Sequence, residues 1–229
     1  MTRAAGGVFL TGTDTEVGKT VVGAGLLRAM AAQGLTTAGY KPVAAGCESM
    51  PDGWRNEDAL ALSAAASLSL PYDAVNPVAL ADPIAPHLAA EREGRRLTSE
   101  PLLEGYRHLA SEADWVLMEG AGGWRVPLNE AQTLAALPAA LNLPVILVAA
   151  IRLGCISHAL LTAEAIAADG LTLAGWVANV PGPEDATTGP QIETLRRRLG
   201  APLLGVVPRL DPPDPAAVAD CLDVGPLLS

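Results

Sequence analysis

Near its amino terminus the chain reads Gly12-Thr13-Asp14-Thr15-Glu16-Val17-Gly18-Lys19-Thr20, directly after the apolar run Val8-Phe9-Leu10. Loops that bind phosphate use glycines where a side chain would block the anion, and they turn backbone N–H groups inward around it. In such loops a lysine reaches the outer phosphates, and a following Thr or Ser places its hydroxyl on Mg²⁺. The usual spacing has four residues between the two glycines, whereas five residues separate Gly12 from Gly18. The stretch therefore predicts a variant phosphate-binding loop between a strand and a helix.

Lysine is rare in this chain, which makes each lysine a candidate functional residue. Lys19 ends the loop, and Lys41 lies in Gly39-Tyr40-Lys41-Pro42-Val43; the other thirteen Lys and Arg side chains are all arginine. Because arginine carries the ordinary surface charge, we predict that both lysines serve phosphate chemistry. The alternative is that the two lysines occur where they do by chance. This alternative has more weight for Lys41 than for Lys19.

Short apolar runs rich in β-branched residues alternate with longer stretches rich in Ala and Leu. The predicted strands are residues 8–10, 37–41, 115–119, 145–149, 173–178 and 204–207. The predicted helices are residues 19–32, 57–66, 100–110, 156–168 and 191–199. Gly170 and Gly200 fall where helix C-caps are expected. This alternation predicts an α/β fold, a P-loop NTPase-like parallel sheet with helices on both faces, in a single domain over residues 1–229.

In sheets of this kind the ligand lies beyond the carboxyl ends of the strands. Glu119 ends the run Trp115-Val116-Leu117-Met118 and precedes a glycine-rich segment, a position suited to a carboxylate that holds Mg²⁺. Asp58 lies in the first turn of a predicted helix, where acids usually interact with the helix dipole. Its local pattern leaves its role open between a helix-terminus acid and a metal ligand.

Composition excludes several classes of partner. The formal net charge is −10, and the basic run Arg196-Arg197-Arg198 is most simply a solvated helix face, so we expect no nucleic-acid partner. No apolar stretch reaches membrane-spanning length and no signal-peptide pattern is present, so we expect no membrane partner. The three cysteines and three histidines show no metal-ligand spacing or disulfide framework, which predicts a cytoplasmic location.

Six segments in this order resemble dethiobiotin synthetase along nearly the whole chain. They are Thr11-Gly12-Thr13-Asp14-Thr15-Glu16-Val17-Gly18-Lys19-Thr20, Ala38-Gly39-Tyr40-Lys41-Pro42-Val43, Arg55-Asn56-Glu57-Asp58-Ala59, Glu119-Gly120-Ala121-Gly122-Gly123-Trp124, Leu153-Gly154-Cys155-Ile156 and Gly175-Trp176-Val177-Ala178-Asn179. The resemblance implies a homodimeric ligase that uses ATP and Mg²⁺. Such an enzyme joins CO₂ (or bicarbonate) to 7,8-diaminononanoate and closes the ureido ring through a carbamate and a carbamic–phosphoric anhydride.

The resemblance also implies roles for particular residues, with Lys19 and Lys41 as the catalytic pair and Thr20, Asp58 and Glu119 as Mg²⁺ ligands. The implied nucleotide-binding residues are Thr15, Glu16, Val17, Gly18, Lys19, Thr20, Asp58, Glu119, Gly120, Ala121, Gly122, Asn179, Pro208, Arg209 and Leu210. The implied substrate-binding residues are Lys41, Ala45, Gly154, Cys155, Ile156 and Ser157. Of these, residues 154–157 are expected to bind the substrate carboxylate across the subunit interface, at a helix N-terminus. Asn179 is expected to read adenine, because an amide offers both a donor and an acceptor.

Two positions depart from the family, and two other functions share part of the pattern. Ala45 stands where the family often has serine, and Ser157 where close relatives have asparagine. A cobyrinic-acid-type amidoligase would carry an added glutaminase domain, for which 229 residues leave no room. A deviant Walker-type ATPase switch would have a second lysine early in the loop, and Gly12-Thr13-Asp14-Thr15 has none.

Overall fold

The computed structural model describes residues 6–228. Its strands are β1 Gly6–Gly12, β2 Thr37–Tyr40, β3 Val43–Ala45, β4 Glu48–Met50, β5 Gly53–Arg55, β6 Val78–Leu80, β7 Trp115–Glu119, β8 Val145–Ala150, β9 Leu173–Asn179 and β10 Leu203–Val207. Its α-helices are α1 Lys19–Ala32, α2 Glu57–Ala65, α3 Tyr72–Val75, α4 Pro86–Arg92, α5 Ser99–Glu112, α6 Ala136–Leu141, α7 Cys155–Ala168, α8 Thr188–Arg198 and α9 Pro215–Ala219. A single 3₁₀ turn follows at Gly225–Leu227.

Within the described residues, a central sheet contains six parallel strands in the order β10-β9-β8-β1-β7-β2. The predicted strands are these six, and each predicted helix is present to within three residues at either end. Gly170 and Gly200 adopt φ of 76° and 64° after α7 and α8, the left-handed conformation of a C-cap glycine. The predicted α/β fold is confirmed.

Successive side chains of β1 point to opposite faces of the sheet, so the apolar core is divided between these two faces. Val8 and Leu10 pack with the buried side of α1, whereas Phe9 packs on the opposite face with residues of α5. Phe9 also meets the ring of Trp124 edge to face, with centroids 5.8 Å apart. Both faces are therefore covered by helices, as the near-continuous burial of a parallel strand requires.

The register of the sheet determines which residues meet at its carboxyl edge. Leu10 pairs with Glu119 and Tyr40 pairs with Met118, so the ends of β1, β7 and β2 lie side by side. Those strands lead directly into the glycine-rich loop, the segment after Glu119, and Lys41. The three sequence segments with the strongest chemical signal thus meet at one edge.

No helix among residues 6–228 is long and apolar enough to cross a membrane.

Candidate active site

A cavity of about 950 Å³ opens at the carboxyl edge of the sheet. Ten of the predicted site residues line it: Thr15, Glu16, Gly18, Lys19, Thr20, Lys41, Ala45, Asp58, Ala121 and Gly122. Residues 83–86, which lead into α4, and residues 125–127 also line it. The cavity is large enough for a nucleotide and a small substrate together.

The loop between β1 and α1 is held in an unusual backbone conformation. Gly18, the residue before α1, has φ 89°, and Glu16 has φ 57°, a region that non-glycine residues seldom adopt. The side-chain amide of Asn179, at the end of β9, donates to the carbonyl of Val17 at 2.8 Å. A Cβ at Gly18 would collide with that amide nitrogen. Glycine is thus required here both by conformation and by the close approach of Asn179.

Lys19 is buried against its own loop, with an exposed fraction of 7 %. Its Nζ donates to the carbonyl of Asp14 at 3.0 Å. Burial, with Lys41 as a second positive neighbour, lowers the pKa of Lys19 to about 8. An anion in the cavity would favour the charged form of this lysine.

Lys41 lies between two carboxylates. Its Nζ is 2.6 Å from Glu119 Oε1 and 2.9 Å from Asp58 Oδ2, and Thr20 Oγ1 donates to the same Glu119 oxygen at 2.9 Å. Burial alone would lower the pKa of Lys41, but the two carboxylates outweigh it and raise that pKa above its usual range. Burial likewise acts to raise the pKa of Asp58, and the Lys41 ammonium reverses this and lowers it. The four side chains form one polar cluster, in which Lys41, Asp58 and Thr20 line the cavity and Glu119 is buried behind them.

The same cluster fits a hard divalent cation. Glu119 is fully buried, and its Oε2 has no hydrogen-bond partner among the described residues. Mg²⁺ takes oxygen ligands, usually one or two carboxylates completed by phosphate oxygens and water. Residues 6–228 contain no group of three or more His, Cys, Asp or Glu side chains that could hold a metal. A cation at this cluster would draw on Asp58, Glu119 and the Thr20 hydroxyl, with oxygens from a ligand completing its shell.

Several predicted site residues lie outside this cavity. Val17 and Gly120 contribute backbone: the Val17 carbonyl accepts from Asn179, and the Gly120 carbonyl lies 3.4 Å from Lys41 Nζ. Residues 208–210 follow β10, with Pro208 and Arg209 exposed. The structure brings these residues to the sheet edge but not to the cavity wall.

The segment at the start of α7 is also separate from the cavity. Gly154 has φ 95°, Cys155 is buried with its thiol donating to Gln191 Oε1 at 3.1 Å, and Leu153 is 99 % exposed. Ile156 is partly buried and Ser157 is exposed. Within one chain these residues do not meet Lys19 or Lys41.

Sequence reasoning did not identify every residue of the site. Arg125, Val126 and Pro127 line the cavity, as do residues 83–86, and no motif marked either segment. Asn56 could have been found, because an asparagine just before a helix is a typical N-cap. Its Oδ1 accepts from the N–H of Ala59, which caps the helix that carries Asp58.

The parallel sheet, the loop before α1 and the buried Lys19 define a class of protein, the P-loop nucleotide-binding α/β proteins. A solved structure of the MinD cell division protein of Aquifex aeolicus has this fold, with a TM-score of 0.54 and 14 % identity, over 96 % of this chain and 88 % of that one. At this identity the likeness concerns the fold alone. A family model described as an AAA domain matches residues 6–217.

Curated relatives are far more similar. The ATP-dependent dethiobiotin synthetase BioD of Pseudomonas aeruginosa (strain UCBPP-PA14) is 56 % identical over 220 residues, which is 96 % of either chain. The protein of the same name from Cellvibrio japonicus (strain Ueda107) is 54 % identical over the same length and coverage. The chain belongs to the dethiobiotin synthetase family.

Proposed function

We propose that this chain is an ATP-dependent ligase that closes the ureido ring of dethiobiotin from 7,8-diaminononanoate and CO₂. One observation supports this beyond family membership: both lysines of the chain line a single cavity, together with Thr20 and Asp58, and Lys41 contacts the buried Glu119. A reaction that gathers several anions needs such a concentration of placed cations.

The chemistry explains why two cationic side chains are needed. One amine of the substrate takes up CO₂ and loses a proton, which gives a carbamate. Its carbonyl carbon is a poor electrophile because it carries an oxyanion. Transfer of the γ-phosphoryl group of ATP to that oxygen gives a carbamic–phosphoric anhydride and ADP. The second amine then attacks the carbonyl carbon, the C–O bond to phosphate breaks, and phosphate leaves as the ring closes.

The two lysines take different parts in this proposal. Lys19, at the start of α1, would neutralise the β- and γ-phosphates, supported by the loop N–H groups and the positive end of the helix. Lys41, whose ammonium already pairs with carboxylates, would pair with the carbamate and offset its charge beside the phosphates. Both act by positioning and charge stabilisation rather than by covalent chemistry.

Mg²⁺ would be held by Thr20, Asp58 and Glu119, where it would neutralise phosphate charge. The same carboxylates also pair with Lys41. These acids therefore set the position of the lysine as well as serving the cation.

The remaining nucleotide-binding residues would surround the phosphates and the base. The backbone of residues 15–18 and 120–122 would surround the phosphates. Asn179 commits one amide hydrogen to the Val17 carbonyl, which leaves its Oδ1 and a second hydrogen for a purine edge. Residues 208–210 would lie beside the base.

The assay that tests the proposed function measures phosphate release from MgATP with bicarbonate, with and without 7,8-diaminononanoate, and identifies the product by mass. We expect phosphate and dethiobiotin in equal amounts, both dependent on the diamine. ATP hydrolysis indifferent to the diamine would contradict the proposal and favour the ATPase-switch alternative.

Replacing Asp58 with asparagine should raise the Mg²⁺ concentration for half-maximal rate by ~10-fold or more, because one anionic ligand is lost. Glu57→Gln is the matched control, since Glu57 lies in the same first turn of α2 and also lines the cavity. Identical Mg²⁺ titrations for the two variants would leave Asp58 with a helix-dipole role alone.

We also propose a homodimer in which residues 154–157 of each subunit bind the substrate carboxylate in the site of the other. Leu153, just before α7, and Leu161, within α7, support an interface at this position, because they are 99 % and 61 % exposed. Leu153 directly precedes Gly154, the first of the residues proposed to enter the site of the other subunit.

Leu161→Asp should therefore shift the mass in sedimentation from a dimer toward a monomer and reduce activity with it. Leu60→Asp, at a side chain 44 % exposed on α2, is the control and should stay dimeric. A wild-type chain that sediments as a monomer at assay concentration would remove the interface and the shared site.

A further inference from the structure

The backbone of Lys41 is held by a short turn outside the central sheet. Lys41 follows β2, which lies at the edge of the sheet order, and its N–H donates to the carbonyl of Val75 at 2.8 Å. The Lys41 carbonyl accepts from Asn76 Nδ2 at 2.7 Å. Val75 ends α3 and Asn76 follows it, so α3 fixes both backbone polar groups of the lysine.

Tyr72, the first residue of α3, joins this turn to the helix that carries Asp58. Its hydroxyl donates to Asn76 Oδ1 at 2.9 Å and accepts from the N–H of Asn56 at 2.8 Å. Asn56 is the N-cap residue of α2, two positions before Asp58. Asp58 Oδ2 in turn lies 2.9 Å from Lys41 Nζ.

These contacts form a closed circuit. It runs from the Lys41 backbone through Asn76 to the Tyr72 hydroxyl, then through Asn56 and α2 to Asp58, and returns to the Lys41 ammonium. Lys41, Asn56 and Asn76 are 3 %, 7 % and 2 % exposed. The second amide hydrogen of Asn76 is also used, on the carbonyl of Val78 at 3.2 Å. Buried polar groups that satisfy one another in this way hold a single geometry.

The face of the Tyr72 ring is also in contact with a side chain. The guanidinium carbon of Arg55 lies 4.2 Å from the ring centroid, a cation–π contact. Arg55 itself bonds to Asp52 Oδ2 at 2.8 Å and to the carbonyl of Trp54 at 2.9 Å. The phenol is thus held at its face as well as at its oxygen.

We propose that Tyr72 and Asn76 are positioning residues, which set the distance between the Lys41 ammonium and the Asp58 carboxylate in the active site. The inference rests on the proposed function of that site. Tyr72→Phe keeps the ring but leaves the Asn56 N–H and Asn76 Oδ1 without their partner. α2 and α3 then lose the two hydrogen bonds that join them through this hydroxyl, and the separation of Lys41 and Asp58 is less well fixed. Small misplacements of this kind are costly when catalysis depends on orientation.

The chain offers a direct readout, because it contains two lysines. Protein grown with lysine labelled by ¹³C at Cε gives two NMR signals, one from Lys19 and one from Lys41. The signal that is absent in Lys41→Arg belongs to Lys41. Tyr72→Phe should shift the Lys41 signal and leave that of Lys19 in place. Asn76→Ser, which shortens the donor to the Lys41 carbonyl, should also move the Lys41 signal.

Tyr40→Phe is the matched control. It removes a buried tyrosine hydroxyl that donates to the carbonyl of Leu102 at 2.7 Å, on the residue next to Lys41 but outside the circuit. It should leave both signals and the kinetics unchanged within about 2-fold. Tyr72→Phe should lower kcat for diamine-dependent phosphate release by ~10-fold and raise the Mg²⁺ concentration for half-maximal rate. Loss of a residue that orients a metal ligand typically costs ~10–100-fold in activity or metal affinity.

An unmoved Lys41 signal in Tyr72→Phe, or a loss of kcat no greater than in Tyr40→Phe at equal thermal stability, would overturn the inference. The NMR measurement does not require the enzyme to turn over. If the wild-type chain released no phosphate in response to the diamine, the proposed function would fail, while the placement of Lys41 by Tyr72 would still be decided by the signal.

Discussion

Replacing Lys19 with alanine is expected to lower kcat for diamine-dependent phosphate release by ~10²–10³-fold or more. Removal of one preorganised charge contact typically has this cost, and here the lost charge faces the phosphates of ATP. Residues 12–20 contain no other basic side chain, so nothing else in the loop can replace the charge of Lys19. The measurement is kcat and the ATP concentration for half-maximal rate, with saturating diamine and bicarbonate.

Arg28→Ala provides a control on the same helix. Arg28 is an exposed basic residue of α1 whose guanidinium bonds to the Ala64 carbonyl at 3.0 Å, away from the loop. Its loss should leave kcat within about 2-fold. Near-normal turnover in Lys19→Ala would contradict the assignment of residues 12–20 as the phosphate-binding loop.

Replacing Lys41 with alanine is expected to separate nucleotide binding from ring closure. ATP binding should remain within a few-fold of wild type, whereas dethiobiotin formation should fall by ~10²–10³, because the carbamate loses its counter-charge. Binding is measured by calorimetry with a nonhydrolysable ATP analogue, and product formation by mass spectrometry. Loss of ATP binding with no separate effect on ring closure would contradict the placement of Lys41 at the carbamate.

The Lys41 variant needs a test of folding, because Lys41 neutralises the fully buried Glu119. Removing one partner of a buried ion pair commonly costs about 3–5 kcal/mol. Thermal unfolding followed by circular dichroism measures this cost. The double variant Lys41→Ala with Glu119→Gln removes the unpaired charge and should recover stability but not ring closure.

The sequence predicts the frame of the fold well, for a physical reason. Strands buried on both faces are continuous apolar runs, and the helices between them are long enough to show their own pattern. The missed segments are short: β3, β4, β5, β6 and α3 contain three or four residues each, and α4, α6 and α9 contain five to seven, too few to show a clear period. Their positions depend on tertiary contacts, such as the pairing of β3 with β6 from a distant part of the chain.

The candidate site was predictable in part. Lys19 and Glu119 follow from a loop and a strand end, whereas Asp58 was open on its local pattern and gained a role from the family resemblance. The contact of Asp58 with Lys41 agrees with a position in the active site. Its role as a metal ligand stays a prediction. Tyr72 could not have been found, because nothing in its neighbourhood indicates that its hydroxyl joins two short elements. The homodimer and the cytoplasmic location also stay predictions.

The most direct test of the account follows oxygen from CO₂ in a single turnover. The chain is mixed with ATP, Mg²⁺, 7,8-diaminononanoate and freshly dissolved C¹⁸O₂, and the products are analysed by mass before the label exchanges with water. Attack on a carbamic–phosphoric anhydride predicts one ¹⁸O in the released phosphate and one in the ring carbonyl of dethiobiotin. Phosphate without ¹⁸O, released whether or not the diamine is present, would mean that ATP is hydrolysed by water and that the lysine pair does not serve ring closure.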